Sequence, residues 1–352
     1  MKNAAIDIGF GNTKFCLPLT RANDELMCDA FPSVAAPATP SVDLSIGGIT
    51  SRNTISVRVD QATFEVGKGV MSALPPQFSR ILDASYPTTA QYMALLKGAL
   101  HYIAHPEIDM LVLGLPVNAY TEYKEPVTRL AVGVHTIPNP RLRLKKDAPL
   151  TLDVTVRNVR VVPQPVGALI NFSLNRGLFA KVRDANNLVF DVGYGTADWF
   201  MSTGLVAQAP RCGSHAGGMS TILQAIADQL RPGLRDDTLF LERLDNAIRD
   251  WVKGGDGIFR FRGKAHSVHD YADLIKGKLS ETISAMSRSI GSKDLVDYVT
   301  LTGGGAFLYE KVIKEMFDGY EVFVDSDARF SNVKGFHALG EQALQQLRGG
   351  KP

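Results

Sequence analysis

Two segments far apart in the chain share one order of residues. Asp7-Ile-Gly-Phe-Gly-Asn-Thr-Lys-Phe15 and Asp191-Val-Gly-Tyr-Gly-Thr-Ala-Asp-Trp199 both run acid, β-branched residue, glycine, aromatic, glycine, small polar residue. Each follows a short apolar run, residues 4–6 in one copy and 188–190 in the other. A buried strand that ends in a carboxylate, turns on glycines and returns as a second strand has the layout of a hairpin. Repetition of that unit implies two related halves. Length agrees with this, because 352 residues with 45% apolar side chains exceed what one core usually covers.

The rest of the pattern can be placed around the two copies. Residues 110–115 read as a buried strand stopped by Pro116, and 92–103 have helical apolar spacing. Residues 154–162 alternate and end in Pro163-Gln164-Pro165-Val166-Gly167-Ala168, which predicts one strand crossing between halves and then a helix from Ala168 to about Asn175. Beyond the second copy the periodicity predicts helices over 219–230, 271–290, 307–317 and 333–347, and a strand over 298–302. The resulting division is 1–162 plus 328–352 as domain I and 163–327 as domain II.

Glycine turns after strands present backbone N–H groups that can cradle phosphate oxygens at close range. On this reading Gly9 and Gly11 form one phosphate loop and Gly193, Tyr194 and Gly195 the other; Asn12, Thr13 and Thr196 add side-chain donors, and Lys14 a positive charge. A carboxylate facing a triphosphate is repelled unless a cation lies between them. Asp7 and Asp191 therefore imply Mg²⁺, held mainly through water, with Asp198 able to orient the same shell. One such loop alone is as readily a plain hairpin turn; the second copy argues for chemistry. Thr302-Gly303-Gly304-Gly305-Ala306-Phe307 imitates a dinucleotide fingerprint but has Leu308 in place of the third glycine. It reads better as a shelf for adenine and ribose made by Gly303, Gly304, Gly305 and Phe307. Gln164, in the crossing between the loops, is placed either to orient a water in line with the γ-phosphate or merely to satisfy backbone groups between two prolines.

In order, residues 7–14, 163–168, 191–198, 301–307 and 332–340 resemble the phosphate 1, connect 1, phosphate 2, adenosine and connect 2 segments of the actin, Hsp70 and sugar-kinase superfamily. Within it, Leu115-Pro116-Val117 with Tyr120 and Tyr123, residues 212–220, and Asn332-Val-Lys-Gly-Phe336 are similar to the bacterial plasmid-segregation actins of the ParM/StbA type. The resemblance implies an α/β, duplicated two-domain actin-like (ribonuclease H-like) fold with a nucleotide cleft between the domains. It also implies ATP (or GTP) with Mg²⁺, an ATPase with Asp7, Asp191 and Gln164 as its catalytic residues, and nucleotide-dependent filaments of a cytoskeletal kind. A DNA-binding adaptor would then couple those filaments to plasmid DNA for partition. Many segregation actins carry a glutamate in connect 1 where this chain has Gln164, which leaves the hydrolysis rate open.

A formal charge of +2, from 38 basic and 36 acidic residues, gives no footprint for gripping nucleic acid directly, and no apolar run approaches a membrane helix. Neither is an expected partner. Three cysteines, Cys16, Cys28 and Cys212, odd in number and widely spaced, suggest neither a disulfide framework nor a zinc site, so a cytoplasmic location is the simplest expectation. Two other readings stay open: a small-molecule kinase of the same superfamily, for which no carboxylate base is located, and a non-polymerising ATP-binding scaffold of the FtsA or PilM kind.

Overall fold

The computed structural model describes residues 2–17, 25–38, 53–75, 78–143 and 147–349. Met1 and residues 350–352, which the sequence assigns to domain I, lie outside the described residues.

In the first half, β1 (Asn3–Ile8) and β2 (Asn12–Cys16) form a hairpin, and β3 (Cys28–Pro32) pairs antiparallel with β2. On the other side of β1, β4 (Met110–Leu115) and then β5 (Val159–Pro163) add in parallel, giving the order β5-β4-β1-β2-β3. The second half repeats the plan. There β6 (Asn186–Val192) and β7 (Ala197–Thr203) are the hairpin, β8 (Tyr298–Thr302) lies parallel to β6, and β9 (Val322–Val324) lies beyond it. All of β1 and β4, and all of β6 after its first residue, are buried. Strands covered on both faces need such continuous apolar runs.

The main helices are α1 (Ala90–Ile103), α2 (Val117–Ala131), α3 (Gln164–Asn175), α4 (Met219–Leu230), α5 (Thr238–Val252), α6 (Ala272–Ile290), α7 (Ala306–Met316) and α8 (Ser331–Gly349). Leu95, Leu96 and Leu100 of α1 pack with Ile6, Phe15 and Leu113 on one face of the first sheet. Val333, Phe336 and Leu344 of α8 pack with Ala5 and Val112. In the second half, Ile222, Leu244 and Ile313 join Phe190, Met201 and Leu301, while Leu169 and Phe172 of α3 meet Val189 and Phe200. The two helices that serve different sheets, α3 and α8, therefore meet between the halves. They touch backbone to backbone: a Cβ on Gly335 would lie 2.7 Å from the Gly167 Cα and closer still to its carbonyl. Residues with a side chain cannot approach so closely.

Two expectations need correction. The single strand over 154–162 is two strands, Thr151–Val156 and Val159–Pro163, in different sheets. The first pairs with Gly133–Pro138, the second with β4, and the alternation slips by one residue at Arg157-Asn158, from Val154 and Val156 to Val159 and Val161, which is where the partner changes. The helix placed at Ala168 begins at Gln164, since Pro165 sits in its first turn, where its missing N–H costs nothing. Helices α2 and α5 were not among the expected elements.

Candidate functional site

Strand register fixes the geometry of the site. In the first hairpin Asp7 stands opposite Lys14, and in the second, at the equivalent positions, Asp191 stands opposite Asp198. The turns are equivalent as well: the Gly9 N–H donates to the Asn12 carbonyl at 3.3 Å, and the Gly193 N–H to the Thr196 carbonyl at 2.8 Å. The turns face each other and exchange aromatics. A Cβ on Gly11 would lie 2.7 Å from the Tyr194 Cβ, and one on Gly195 would lie 2.6 Å from the Phe10 ring. Only hydrogen at the second glycine of each turn leaves room for the other turn's ring.

Both crossing helices support an acid from their first turn. Gln164 of α3 donates its Nε2 to Asp7 Oδ1 at 2.7 Å, and Asn332 of α8 donates its Nδ2 to Asp191 Oδ2 at 2.6 Å. Gly114 on β4 makes room for the first of these, since a Cβ there would sit 2.9 Å from Gln164 Cγ. Asp7, Gly9, Gly11, Asn12, Lys14, Gln164, Asp191, Gly193, Tyr194, Gly195, Thr196, Asp198, Gly303 and Gly304 all line one cleft between the halves.

The two acid pairs differ in charge balance. Lys14 Nζ meets Asp7 Oδ2 at 2.7 Å. Among the described residues Asp198 has no such counterion; Thr196 Oγ1 donates to its Oδ2 at 2.8 Å, and its buried Oδ1 meets no donor in full hydrogen-bond geometry, although the nearby Ser214 hydroxyl and Val117 N–H favour its charged form. Burial pushes its pKa up to about 7, and the Asp191 charge adds to the rise. Burial likewise raises Asp191 to about 6, against the Asn332 hydrogen bond and the Lys14 charge, which lower it. Like charges directly opposite across a hairpin are destabilising. A divalent cation answers this arrangement: the donors are hard carboxylate oxygens, one lacks a full hydrogen bond, and the shortfall is positive charge. Among the described residues no group of three or more His, Cys, Asp or Glu could hold a metal by itself. An ion with few protein ligands and a largely retained water shell, as Mg²⁺ is, fits such a site.

Three expected residues are not on the cleft wall. Thr13 alternates away from Asn12 and Lys14, is fully buried, and shares a hydrogen bond with Ser33 Oγ at 2.9 Å. Gly305 packs instead on Val192 and Met219. Phe307 lies one helical step past the shelf, beneath the Arg249 guanidinium at 4.6 Å, and borders a separate shallow depression with Glu310 and Lys314. Of the four residues expected to form a shelf, Gly303 and Gly304 are on the cleft wall, the first at φ 92°.

The structure also adds residues. Arg80 is almost fully buried, and its Nη1 donates to the Gly11 carbonyl at 2.7 Å and the Phe10 carbonyl at 3.1 Å. The same guanidinium lies 4.9 Å above the Tyr194 ring and 3.6 Å from Glu242 of α5, so it ties the first turn to the second half. Arg249 donates to the Gly304 carbonyl at 3.0 Å and to Asp245 Oδ2 at 3.0 Å. Asn332 sits within a segment the sequence had picked out by resemblance, and symmetry with Gln164 could have identified it. Arg80 has no sequence signal.

Residues 5–167 match the family model of actin-like protein N-terminal domains, and 189–315 that of the archaeal actin homologue MreB-like C-terminal domain. The fold is similar to the crystal structure of Ta0583, an archaeal actin homolog, with a TM-score of 0.73 at 20% identity over 97% of this chain and 100% of that one. The same homolog in complex with ADP matches with a TM-score of 0.69 at 19% identity, covering 97% and 100%. A 15-stranded ParM filament from Clostridium botulinum matches with a TM-score of 0.70 at 18% identity, covering 97% and 99%. No curated protein sequence matches the chain. Among the described residues no helix is long and apolar enough to cross a membrane.

Proposed function

We propose that this chain, which belongs to the actin-like proteins, binds a Mg-nucleotide between its halves, hydrolyses it, and couples that cycle to filaments that segregate plasmid DNA. The observation that carries the proposal is the pair of equivalent glycine turns on one cleft, with Asp191 opposed by Asp198 where the first hairpin has a lysine. The similarity in fold to a filament-forming ParM supports the assembly step.

Gly9, Gly11, Asn12 and Lys14 on one side, and Gly193, Gly195 and Thr196 on the other, would hold the phosphates, while Gly303 and Gly304 face the nucleoside of ATP or GTP. Asp7, Asp191 and Asp198 would hold Mg²⁺ through water, and a bound Mg²⁺ neutralises charge on the β- and γ-phosphates. Gln164 commits one amide hydrogen to Asp7, which fixes the orientation of its amide and leaves its carbonyl oxygen and its second N–H to meet an attacking water. Its contribution is positioning rather than proton transfer. Residues 1–162 with 328–352 form one half and 163–327 the other, hinged where α3 crosses α8. The partners are further copies of the chain and an adaptor on plasmid DNA, in the cytoplasm.

Light scattering and negative-stain microscopy with ATP, ADP and a non-hydrolysable analogue test the whole reading. Assembly with ATP, followed by decay as ADP accumulates, is expected; no assembly under any nucleotide, salt or protein concentration refutes the filament. Asp191→Ala should abolish Mg-dependent hydrolysis, whereas Gln164→Ala should slow it and leave binding largely intact. Equal loss of binding in both variants would remove Gln164 from its role.

A further inference from the structure

The wide spacing of the cysteines in sequence hides a close pair. Cys16 on β2 and Cys28 on β3 stand directly opposite each other. Around them, the Leu17 N–H donates to the Met27 carbonyl at 2.8 Å, and the Ser33 N–H to the Gly11 carbonyl at 2.9 Å. Hydrogen-bonded pairs therefore fall on the odd-numbered residues of β2, and Cys16 with Cys28 is a non-hydrogen-bonded pair. Such pairs hold their Cα atoms about 4.5 Å apart, inside the range of about 4.4–6.8 Å that a disulfide spans. The two Sγ atoms lie 2.7 Å apart, within van der Waals contact.

The two thiols differ in access. Cys16 is buried in the core beneath α8 with Ala5, Val333 and Phe336, and its Sγ lies 3.6 Å from the Val333 carbonyl. Cys28 is half-buried on the outer strand of the sheet. Burial raises the Cys16 thiol well above its ordinary value, and the neighbouring Cys28 adds to that rise. Cys212 belongs to the other half, where it bonds with the Met201 backbone.

We propose that Cys16 and Cys28 are a redox modification site, a dithiol that closes to a cross-strand disulfide in the presence of a peroxide and reopens with a dithiol reductant. The accessible Cys28 sulfur, as thiolate, attacks one oxygen of hydrogen peroxide, the O–O bond breaks, and the other oxygen leaves as hydroxide and becomes water. The Cys28 sulfenic acid then loses its hydroxyl as a second water when the Cys16 sulfur attacks, with the Cys16 thiol supplying the proton. Two thiols lose two electrons and two protons, and the peroxide gains both. The strands already hold the sulfurs together, so the bond forms without a change of register. Under reducing conditions the couple rests as the dithiol. When closed, it staples the sheet edge to β2, the strand that also carries Lys14 to Asp7.

Peptide mass spectrometry on the full-length protein tests this directly. After hydrogen peroxide and then alkylation in denaturant, one alkylated thiol is expected in place of three, with the Cys16 and Cys28 peptides joined and Cys212 labelled. Dithiothreitol should restore all three, and the oxidised protein should melt at a higher temperature than the reduced one. In Cys28→Ser the same treatment should leave both remaining thiols alkylatable and the melting temperature unchanged. The proposal is overturned if Cys16 and Cys28 both stay alkylatable, if Cys28 runs on to the sulfinic acid beside a free Cys16, or if either links to Cys212 or to another molecule.

Discussion

Gly277→Ala and Gly335→Ala are the same substitution in two helix interiors, and the structure gives them opposite signs. Gly277 is exposed on α6, and a Cβ there would meet nothing within 4 Å. Alanine at that position should stabilise by about 1 kcal/mol through helix propensity. At Gly335 on α8 a Cβ would lie 2.5 Å from the Gly167 carbonyl carbon and nearer to its oxygen. Backbone atoms of a packed helix cannot swing aside as a side chain does. Restoring ordinary contact at 3.4 Å therefore requires α3 and α8 to part by about 1 Å or more. Overpacking of this kind costs typically about 1–3 kcal/mol, which outweighs the propensity gain of about 1 kcal/mol over most of that range. Urea unfolding curves of the two variants should move to opposite sides of the unsubstituted protein at unchanged slope. Gly335→Ala should also weaken nucleotide binding, because the shift carries Asn332 away from Asp191, whereas Gly277→Ala should not. A Gly335→Ala protein as stable as Gly277→Ala would refute the close crossing of α3 and α8.

The raised Asp198 and Asp191, at about 7 and about 6, make the folded state bind more protons than the unfolded chain from roughly pH 4 up to these values. Their contribution makes the nucleotide-free protein more stable as pH falls from 8 to 6, and Asp198→Asn should flatten the melting-temperature profile across that window; an unchanged profile would contradict the assignment. Mg-nucleotide, which favours the ionised carboxylates, should bind more weakly over the same fall in pH. Arg80→Ala removes the donor to the Phe10 and Gly11 carbonyls and should destabilise by about 1–3 kcal/mol while loosening nucleotide binding, measured by thermal melts and calorimetry. Thr13→Ala should lower stability by about 1 kcal/mol with nucleotide affinity unchanged, whereas Asn12→Ala should weaken nucleotide binding with little change in stability.

What the sequence could and could not convey follows from where the information resides. The hairpins at Asp7 and Asp191 were legible because strand, acid and glycine turn are all local. Helix α4 was legible to the residue because its apolar side faces one core throughout. Helix α5 was overlooked although its pattern is as regular, with Phe240, Leu241, Leu244 and Ile248 on one buried face and Glu242, Asp245 and Arg249 lining the cleft. Thr13 was misplaced because a donor side chain next to a phosphate loop looks useful, although strand alternation sends it to the opposite face from Asn12 and Lys14. Gly305 and Phe307 were misplaced by treating a turn and the helix after it as one flat surface. Arg80 was invisible because its acceptors are backbone carbonyls of a remote turn, and a carbonyl has no residue identity to read.

The exchange of rings between the two turns bears on how a duplicated gene can diverge. After duplication, each copy usually accumulates changes on its own account. Here Gly195 seats Phe10 and Gly11 seats Tyr194, so a methyl added to one repeat displaces a ring belonging to the other. A fault in either half is felt at once by its twin. A library randomised at these four positions should return solutions as crosswise pairs, the ring of one repeat with the glycine of the other. The internal symmetry of the chain is in this sense a mutual check between its halves, not only a trace of ancestry.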